Sequence, residues 1–374
     1  MTVPINSTNN ETGFPAWIRE PFLHVDKHLI YNPMTDRTLQ PGDEGFSAIS
    51  DIHAGRMSVE NLPENLRNSL IQKAWLIADK GDLSKRFYLK YVEIEASTTC
   101  NQACSFCPVS VNPRPAYKMP LDFYENIVSQ LADYRHTMEG VLMLRYNEPT
   151  ADSRFLDQVR ILKAHDIPIG LNSNATGLIP RRVDELLKHG GLRFLSVNLS
   201  TMDRGRYRKE RSRDHLKLVM RNMDYIKDRP LAERMDLAVL GSGDDTHKKD
   251  FEAIQQHFSG SHFDVQYHEI MDRAGYMDTG HRPSGLHTNL AGCEQTGSRP
   301  LQWLTVTPQG LCVLCCEDYD EDYVVGDLNQ QTIAEVLTGP RISKLRRWAY
   351  GLEEAPADFI CRKCTFARNG CDNK

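Results

Sequence analysis

The chain has 374 residues, 40% of them hydrophobic and 25% charged, with a formal net charge of −5. That composition is of an ordinary globular protein long enough for more than one domain, at roughly 100–200 residues per domain. It excludes a disordered or fibrous chain, and the acidic balance leaves no electrostatic footprint for nucleic acid or an anionic membrane. The opening MTVPINSTNNETGFPAWIREP has no basic stretch followed by an apolar core, so no signal peptide is expected. No apolar run approaches the ~20 residues of a membrane span. The sequons at Asn6 and Asn10 are therefore read as chance. A cytoplasmic location is expected, where thiols stay reduced and open to metals.

Residues 1–22 read as a polar leader. Residues 23–85 read as a small unit in which HLIYN and RTLQ are short strands joined by the turn NPMTD. GDEGFSAISDIHAG follows as a helix ended by Gly55, and SVENLPENLRNSLIQKAWLIAD as one or two more, with Ser58 as an N-cap. A hairpin followed by helices suits a small winged-helix-like module.

From residue 88 to 275 apolar strands alternate with helices. The strands are YVEIEAS, GVLMLRY, IPIGLNSN, LRFLSVNLS, MDLAVLGS and DVQYHEI. The intervening helices are LDFYENIVSQLADY, DSRFLDQVRILKAHD, PRRVDELLKHG, RDHLKLVMRNMDYIKD and HKKDFEAIQQHF. Such alternation implies βαβ units and a parallel sheet. Six units are two short of a closed barrel, so the expected fold is α/β, a partial (β/α)6 barrel with its chemistry at the carboxyl ends of the strands. Residues 276–374 are loop-rich, cysteine-rich and weakly periodic, and are expected to depend on metal for their fold.

The cysteines are distributed in two groups. Cys100, Cys104 and Cys107 form a C-x3-C-x2-C run in the loop after the first strand, and the other seven lie beyond residue 290. Three thiolates can hold a cubane iron–sulfur cluster and leave one iron open, whereas ordinary electron carriers use four cysteines. Zinc usually takes four ligands in paired CxxC spacing.

This spacing in this loop resembles the radical S-adenosylmethionine (SAM) superfamily, and the resemblance extends from residue 88 to about 366. It implies a [4Fe–4S] cluster on Cys100, Cys104 and Cys107 whose open iron binds SAM. Reductive cleavage would then give a 5′-deoxyadenosyl radical that abstracts hydrogen from a substrate. The electron would come from an external one-electron donor such as flavodoxin or ferredoxin. By the same resemblance Phe106 would pack near adenine. Tyr146-Asn147-Glu148-Pro149 stands where the superfamily carries a Gly-Gly-Glu-Pro-like motif, and Glu148 would meet the SAM ammonium, as carboxylates do in charge-assisted bonds. Ser173, Asn174, Asn198 and Ser200 end the third and fourth strands and would bond the ribose and the methionine carboxylate; as ordinary residues they would be turn formers. Arg211 would pair with that carboxylate, although RKERSRD also reads as a solvated basic run. Backbone near Val239-Leu240-Gly241 would meet the adenine edge.

The tail resembles the SPASM/Twitch extension of these enzymes, with its Cys315-Cys316-Glu317-Asp318 and Gly326-Asp327-Leu328 stretches. The resemblance assigns Cys293, Cys315, Cys361 and Cys364 to one auxiliary [4Fe–4S] cluster, in a one-cluster Twitch-like form. Cys312, Cys316 and Cys371 are left over, as spare thiols or, for Cys316 with Asp318, as catalytic groups taking a proton or electron beside that cluster. Zinc is the rival metal for the tail. The small unit at residues 23–85 resembles the PqqD-like precursor-recognition module. The expected function is thus radical SAM oxidation or modification of a peptide. A sugar or aminocyclitol substrate is the alternative, and a non-enzymatic cluster-binding protein is the reading from another class.

Overall fold

A computed structural model describes residues 16–279 and 285–370. Its centre is a nine-stranded sheet. Six strands, Tyr91–Ile94, Gly140–Leu142, Ile169–Ser173, Leu192–Asn198, Ala232–Gly241 and Phe263–Glu269, run parallel in chain order. They are the six expected, and the sheet does not close on itself.

Side chains alternate across each strand, and the two faces differ in chemistry. Val92, Ile94, Val141, Leu171, Leu195, Val197, Leu237 and Val239 lie in one buried core. The helices Leu121–Leu131, Phe155–Ala164, Pro180–Lys188, Leu216–Ile226 and Asp245–His257 supply the rest of that core. The alternate positions carry Glu93, Glu95, Asn172, Ser196 and Asn198, leaving a polar face inside the curved sheet. N-caps punctuate the helices: Asp244 Oδ1 accepts from His247 N at 2.8 Å, a bond worth ~1 kcal/mol.

One helix was not expected. Arg204–Arg211 forms inside the run read as solvated, capped by Asp203 accepting from Arg206 N at 2.8 Å. Arg208 and Lys209 face solvent, but Tyr207 and Arg211 are buried. Charge content alone hides which arginine points inward.

The tail is more regular than its sequence suggests. Trp303–Val306 pairs in parallel with Tyr91–Ile94, and the antiparallel strands Leu311–Val313 and Val324–Asp327 continue the sheet outward. Its backbone order thus comes largely from the barrel's own edge strand. Cys312 is fully buried within this hairpin, in the apolar core. Cys371 lies outside the described residues, as do Asn6 and Asn10.

The small N-terminal unit has its own apolar core, including Ile30, Ile49, Leu70 and Trp75. His24–Val25, Ile30–Asn32 and Arg37–Leu39 form an antiparallel sheet, followed by helices Phe46–His53 and Glu64–Gln72. Two local expectations fail. Ser58 makes no side-chain cap, and the segment ending in Leu76–Ala78 leaves the helix to pair as a strand with Trp17–Arg19. Ala74 takes a left-handed φ of 59°, which turns the chain out of the helix just before Trp75. The unit docks at the amino ends of the sheet strands. Lys90 Nζ meets Asp36 at 2.6 Å, and Gln302 Nε2 donates to Tyr31 Oη at 2.8 Å. It therefore sits opposite the end where the cysteine loop emerges.

Candidate active site and auxiliary cluster site

The loop carrying Cys100, Cys104 and Cys107 leaves the first sheet strand at its carboxyl end, with all three thiols half-buried and unbridged. Burial pushes the Cys100 thiol up to about 12 and raises Cys107 as well. Metal binding is what would deprotonate such thiols.

The loop is held from two sides. Asn101, unremarked in the sequence, accepts from Asn174 Nδ2 at 2.9 Å and donates to Thr176 Oγ1 at 2.8 Å. Gln102 donates to buried Tyr207 Oη at 2.9 Å. Backbone N–H groups of Ala103 and Ser105 donate to the carbonyls of Arg211 and Glu210. The third strand end and the unexpected helix thus grip the loop together.

Arg211 gathers four of the expected residues. Its side chain donates to Asn198 Oδ1, to Ser200 Oγ at 2.7 Å and to Cys104 Sγ at 3.5 Å. The guanidinium also stands 4.9 Å from the centre of the Phe106 ring, and its Nε is buried without a partner among the described residues. A planar cation with a spare donor beside the three thiols suits a carboxylate.

Glu148 is bonded within the protein. It is fully enclosed, and its Oε1 accepts from Thr150 N, Thr150 Oγ1 and Ser173 Oγ, while Oε2 accepts from Asn174 N at 2.7 Å. Burial raises its carboxyl, against the pull of these donors. The carboxylate pins the Ser173-Asn174 turn, which in turn bonds the cysteine loop. The place of the superfamily glycine is taken by Tyr146, whose Oη donates to the Cys316 carbonyl and whose ring meets Tyr319 edge-on at 4.7 Å. His247 Nδ1 accepts from Gly243 N, so its Nε2 donates to the Val239 carbonyl at 3.0 Å, and the His247 ring fills the space beside Gly241.

Between barrel and tail lies a charged network that the sequence did not disclose. Arg114 grips Glu95 through both carboxylate oxygens at 2.5 and 2.8 Å. Arg145 donates to Glu321 at 2.9 Å, and Arg273 to Glu317 at 3.1 Å. Arg273 keeps about a third of its side chain exposed while it pairs with buried Glu317. Arg273, Ala274 and Gly275 have φ of 54°, 53° and 85° in succession. Two consecutive non-glycine residues in the left-handed region are costly, whereas Gly275 adopts it freely.

Cys293, Cys315, Cys361 and Cys364, drawn from three separate stretches, line a single cavity together with Arg299 and Glu317. Burial raises all four thiols, Cys364 to about 12. Neighbouring thiolates add to the rise for Cys315, Cys361 and Cys364, so deprotonating the set requires a compensating cation. Four soft donors around one apolar void fit an iron–sulfur cluster. Cys316 is buried next to this set with Sγ 3.7 Å from Glu317 Oε1. Asp318 is committed to structure: its carboxylate accepts from Asp322 N at 3.0 Å and Tyr323 N at 2.9 Å.

The sequence profile of the Radical SAM superfamily matches residues 94–254, and that of SPASM, an iron–sulfur cluster-binding domain, matches residues 293–365. The chain belongs to the radical SAM superfamily and carries a C-terminal SPASM domain. Membership brings SAM, a [4Fe–4S] cluster and auxiliary iron–sulfur binding. No curated protein sequence matches the chain. Among solved structures, it is similar to Streptococcus suis SuiB bound to precursor peptide SuiA, at 13% identity and TM-score 0.55, covering 88% of this chain and 90% of that one. It is similar to native anSMEcpe with bound AdoMet at 13% identity and TM-score 0.52, covering 70% and 84%. BtrN in complex with AdoMet and 2-DOIA has 16% identity and TM-score 0.48, covering 71% and 88%. The likenesses to SuiB and anSMEcpe bear on fold.

Proposed function

We propose that this radical SAM enzyme oxidatively modifies a peptide, with residues 23–85 binding part of that peptide. In this reading residues 88–275 hold SAM and residues 276–374 hold one auxiliary cluster. Cys100, Cys104 and Cys107 would ligate the first [4Fe–4S] cluster, and Cys293, Cys315, Cys361 and Cys364 the second. Bound together, the first cluster and SAM supply a 5′-deoxyadenosyl radical for hydrogen abstraction, given one electron from a carrier such as flavodoxin or ferredoxin.

The protein's own side chains do the positioning. Arg211, with Asn198 and Ser200, orients the SAM carboxylate, and Phe106 packs beside the nucleoside. Glu148 acts on Ser173 and Asn174, keeping their turn against the cysteine loop. The Glu95–Arg114 pair and the Tyr146–Tyr319 contact brace the strand ends beside the cysteine loop and help exclude water there. Cys316 can hold a proton at Sγ beside the auxiliary ligands, whereas Asp318 serves the turn. The protein works in the cytoplasm in this reading.

The observation that carries the peptide reading is the strand Arg37–Leu39. It pairs on one side with Ile30–Asn32, has no strand partner on the other among the described residues, and exposes Arg37 and Thr38. Such an edge accepts an extended segment through backbone bonds. The likeness in fold to SuiB, whose structure holds a precursor peptide, supports the same reading.

Successive N–H groups of a strand point to opposite edges, so one of Arg37→Pro and Thr38→Pro removes an outward donor. With a short peptide encoded beside the gene as probe, one variant should lose at least ~10-fold in peptide turnover while SAM cleavage without peptide persists. Unchanged peptide turnover in both, or full-rate conversion of a sugar or aminocyclitol, would end the reading.

A further inference from the structure

We infer that Arg299 raises the reduction potential of the auxiliary cluster, with Glu93 as its counterweight. The inference rests on the ligand set proposed above and concerns a residue that the motifs do not mark.

Arg299 is 7% exposed and lines the cavity with all four cysteines. It is fixed on two sides. Nη1 donates to Glu93 Oε1 at 2.9 Å, and the guanidinium lies 3.6 Å from the Trp303 ring centre. Trp303 is itself held, its Nε1 donating to the Thr296 carbonyl at 3.2 Å and its ring stacked on Tyr91 at 4.5 Å. Glu93 is fixed in turn by Thr305 Oγ1 at 2.8 Å.

The order of charges matters. Arg299 lines the cavity and Glu93 does not, and the Arg299 charge acts on the Cys293, Cys315 and Cys316 thiols. Arg299 Nε is buried without a partner among the described residues. The backbone N–H of Arg299 is also directed at the Cys293 sulfur. Glu317, the other charged lining residue, is countered by Arg273 at 3.1 Å. Charge and hydrogen bonds to the sulfurs set cluster potentials, and a low local dielectric strengthens both. A nearby cation favours the more negative, reduced form, so a cluster held this way accepts an electron more readily.

The two partners give opposite signs, which a merely structural role would not. In the reconstituted full-length enzyme, Arg299→Gln should lower the auxiliary midpoint potential, and Glu93→Gln should raise it. Each shift should be at least tenfold in the oxidised-to-reduced ratio, 59 mV for a one-electron couple. Arg299→Lys should stay near the parent value. The readout is a redox titration followed by electron paramagnetic resonance, with iron counted first. Loss of four irons in Cys361→Ala tests the ligand set, and its retention there would mark failure of that assignment instead. If Arg299→Gln does not fold, Glu93→Gln decides alone. Shifts of the same sign, or no rise in Glu93→Gln, overturn the inference.

Discussion

Arg211 Nη1 lies 3.5 Å from Cys104 Sγ, which places a fixed positive charge against one thiol of the three-cysteine loop. The same side chain reaches Asn198 and Ser200, so the fourth strand, the following helix and the metal loop meet at one guanidinium.

Arg211→Lys should weaken SAM binding about 10–100-fold, because hydrogen bonds to charged groups are each worth ~1.5–3 kcal/mol and lysine lacks the planar fork. Iron at the first site should be retained. Equilibrium binding of SAM and 5′-deoxyadenosine formation check this, and parent-like affinity would remove Arg211 from the SAM site.

Anaerobic protein should contain about eight irons per chain, as two cubanes supply. Cys100→Ala, Cys104→Ala and Cys107→Ala should each abolish SAM cleavage. Cys361→Ala should drop to about four irons while cleaving SAM without product. Zinc in place of half the iron would overturn the auxiliary assignment.

Cys316→Ser and Asp318→Asn should separate chemistry from architecture. Cys316→Ser is expected to lower product formation at least ~10-fold with SAM cleavage intact, if its thiol carries a proton in turnover. Asp318→Asn keeps one acceptor oxygen for two backbone donors and should chiefly lower the melting temperature. Product-to-5′-deoxyadenosine ratios for the two variants give the answer.

His24 is buried at the joint with the tail, its Nε2 3.1 Å from Tyr350 Oη. Burial, helped by Arg368, lowers it from 6.5 to about 3. The unfolded chain therefore binds the proton first, so stability is full above pH 6.5 and falls as pH drops toward 3. At pH 5.5 the loss is about 1.4 kcal/mol, one unit below the unfolded value. His24→Gln should flatten that part of the melting profile between pH 7.5 and 5.5; an equal slope would show that another group titrates.

Removing the N-terminal unit tests a different dependence. Arg346 is completely buried and donates to the Ser84 carbonyl at 3.0 Å, as well as to Leu337 and Pro300. Deleting residues 1–85 would remove one of its acceptors and uncover Tyr350, and aggregation is the expected result. A monomeric, SAM-cleaving truncation in light scattering would contradict this.

The sequence disclosed features that depend on local pattern. Strand–helix alternation gave the six parallel strands, and cysteine spacing picked out the loop. The tail motif marks Cys293, Cys315, Cys361 and Cys364, which line one cavity. What stayed hidden depends on pairing across the chain. Trp303–Val306 looks like one more loop-bounded apolar run until it lies beside Tyr91–Ile94. Arg211 is one of several basic residues until a helix turns it inward. Glu148 was legible as important, but Ser173 and Asn174, 25 and 26 residues later, decide what its oxygens do. Arg273 and Arg299 carry no spacing signal, because their partners come from distant stretches.

The parallel pairing of Trp303–Val306 with Tyr91–Ile94 sets Thr305 opposite Glu93. A slip of one residue would turn every side chain of the tail strand to the other face. The tail is therefore not a freely graftable module. A chimera that borrows a relative's cluster domain has to preserve this ladder, or the borrowed cysteines will arrive in the wrong place against the barrel that must work with them.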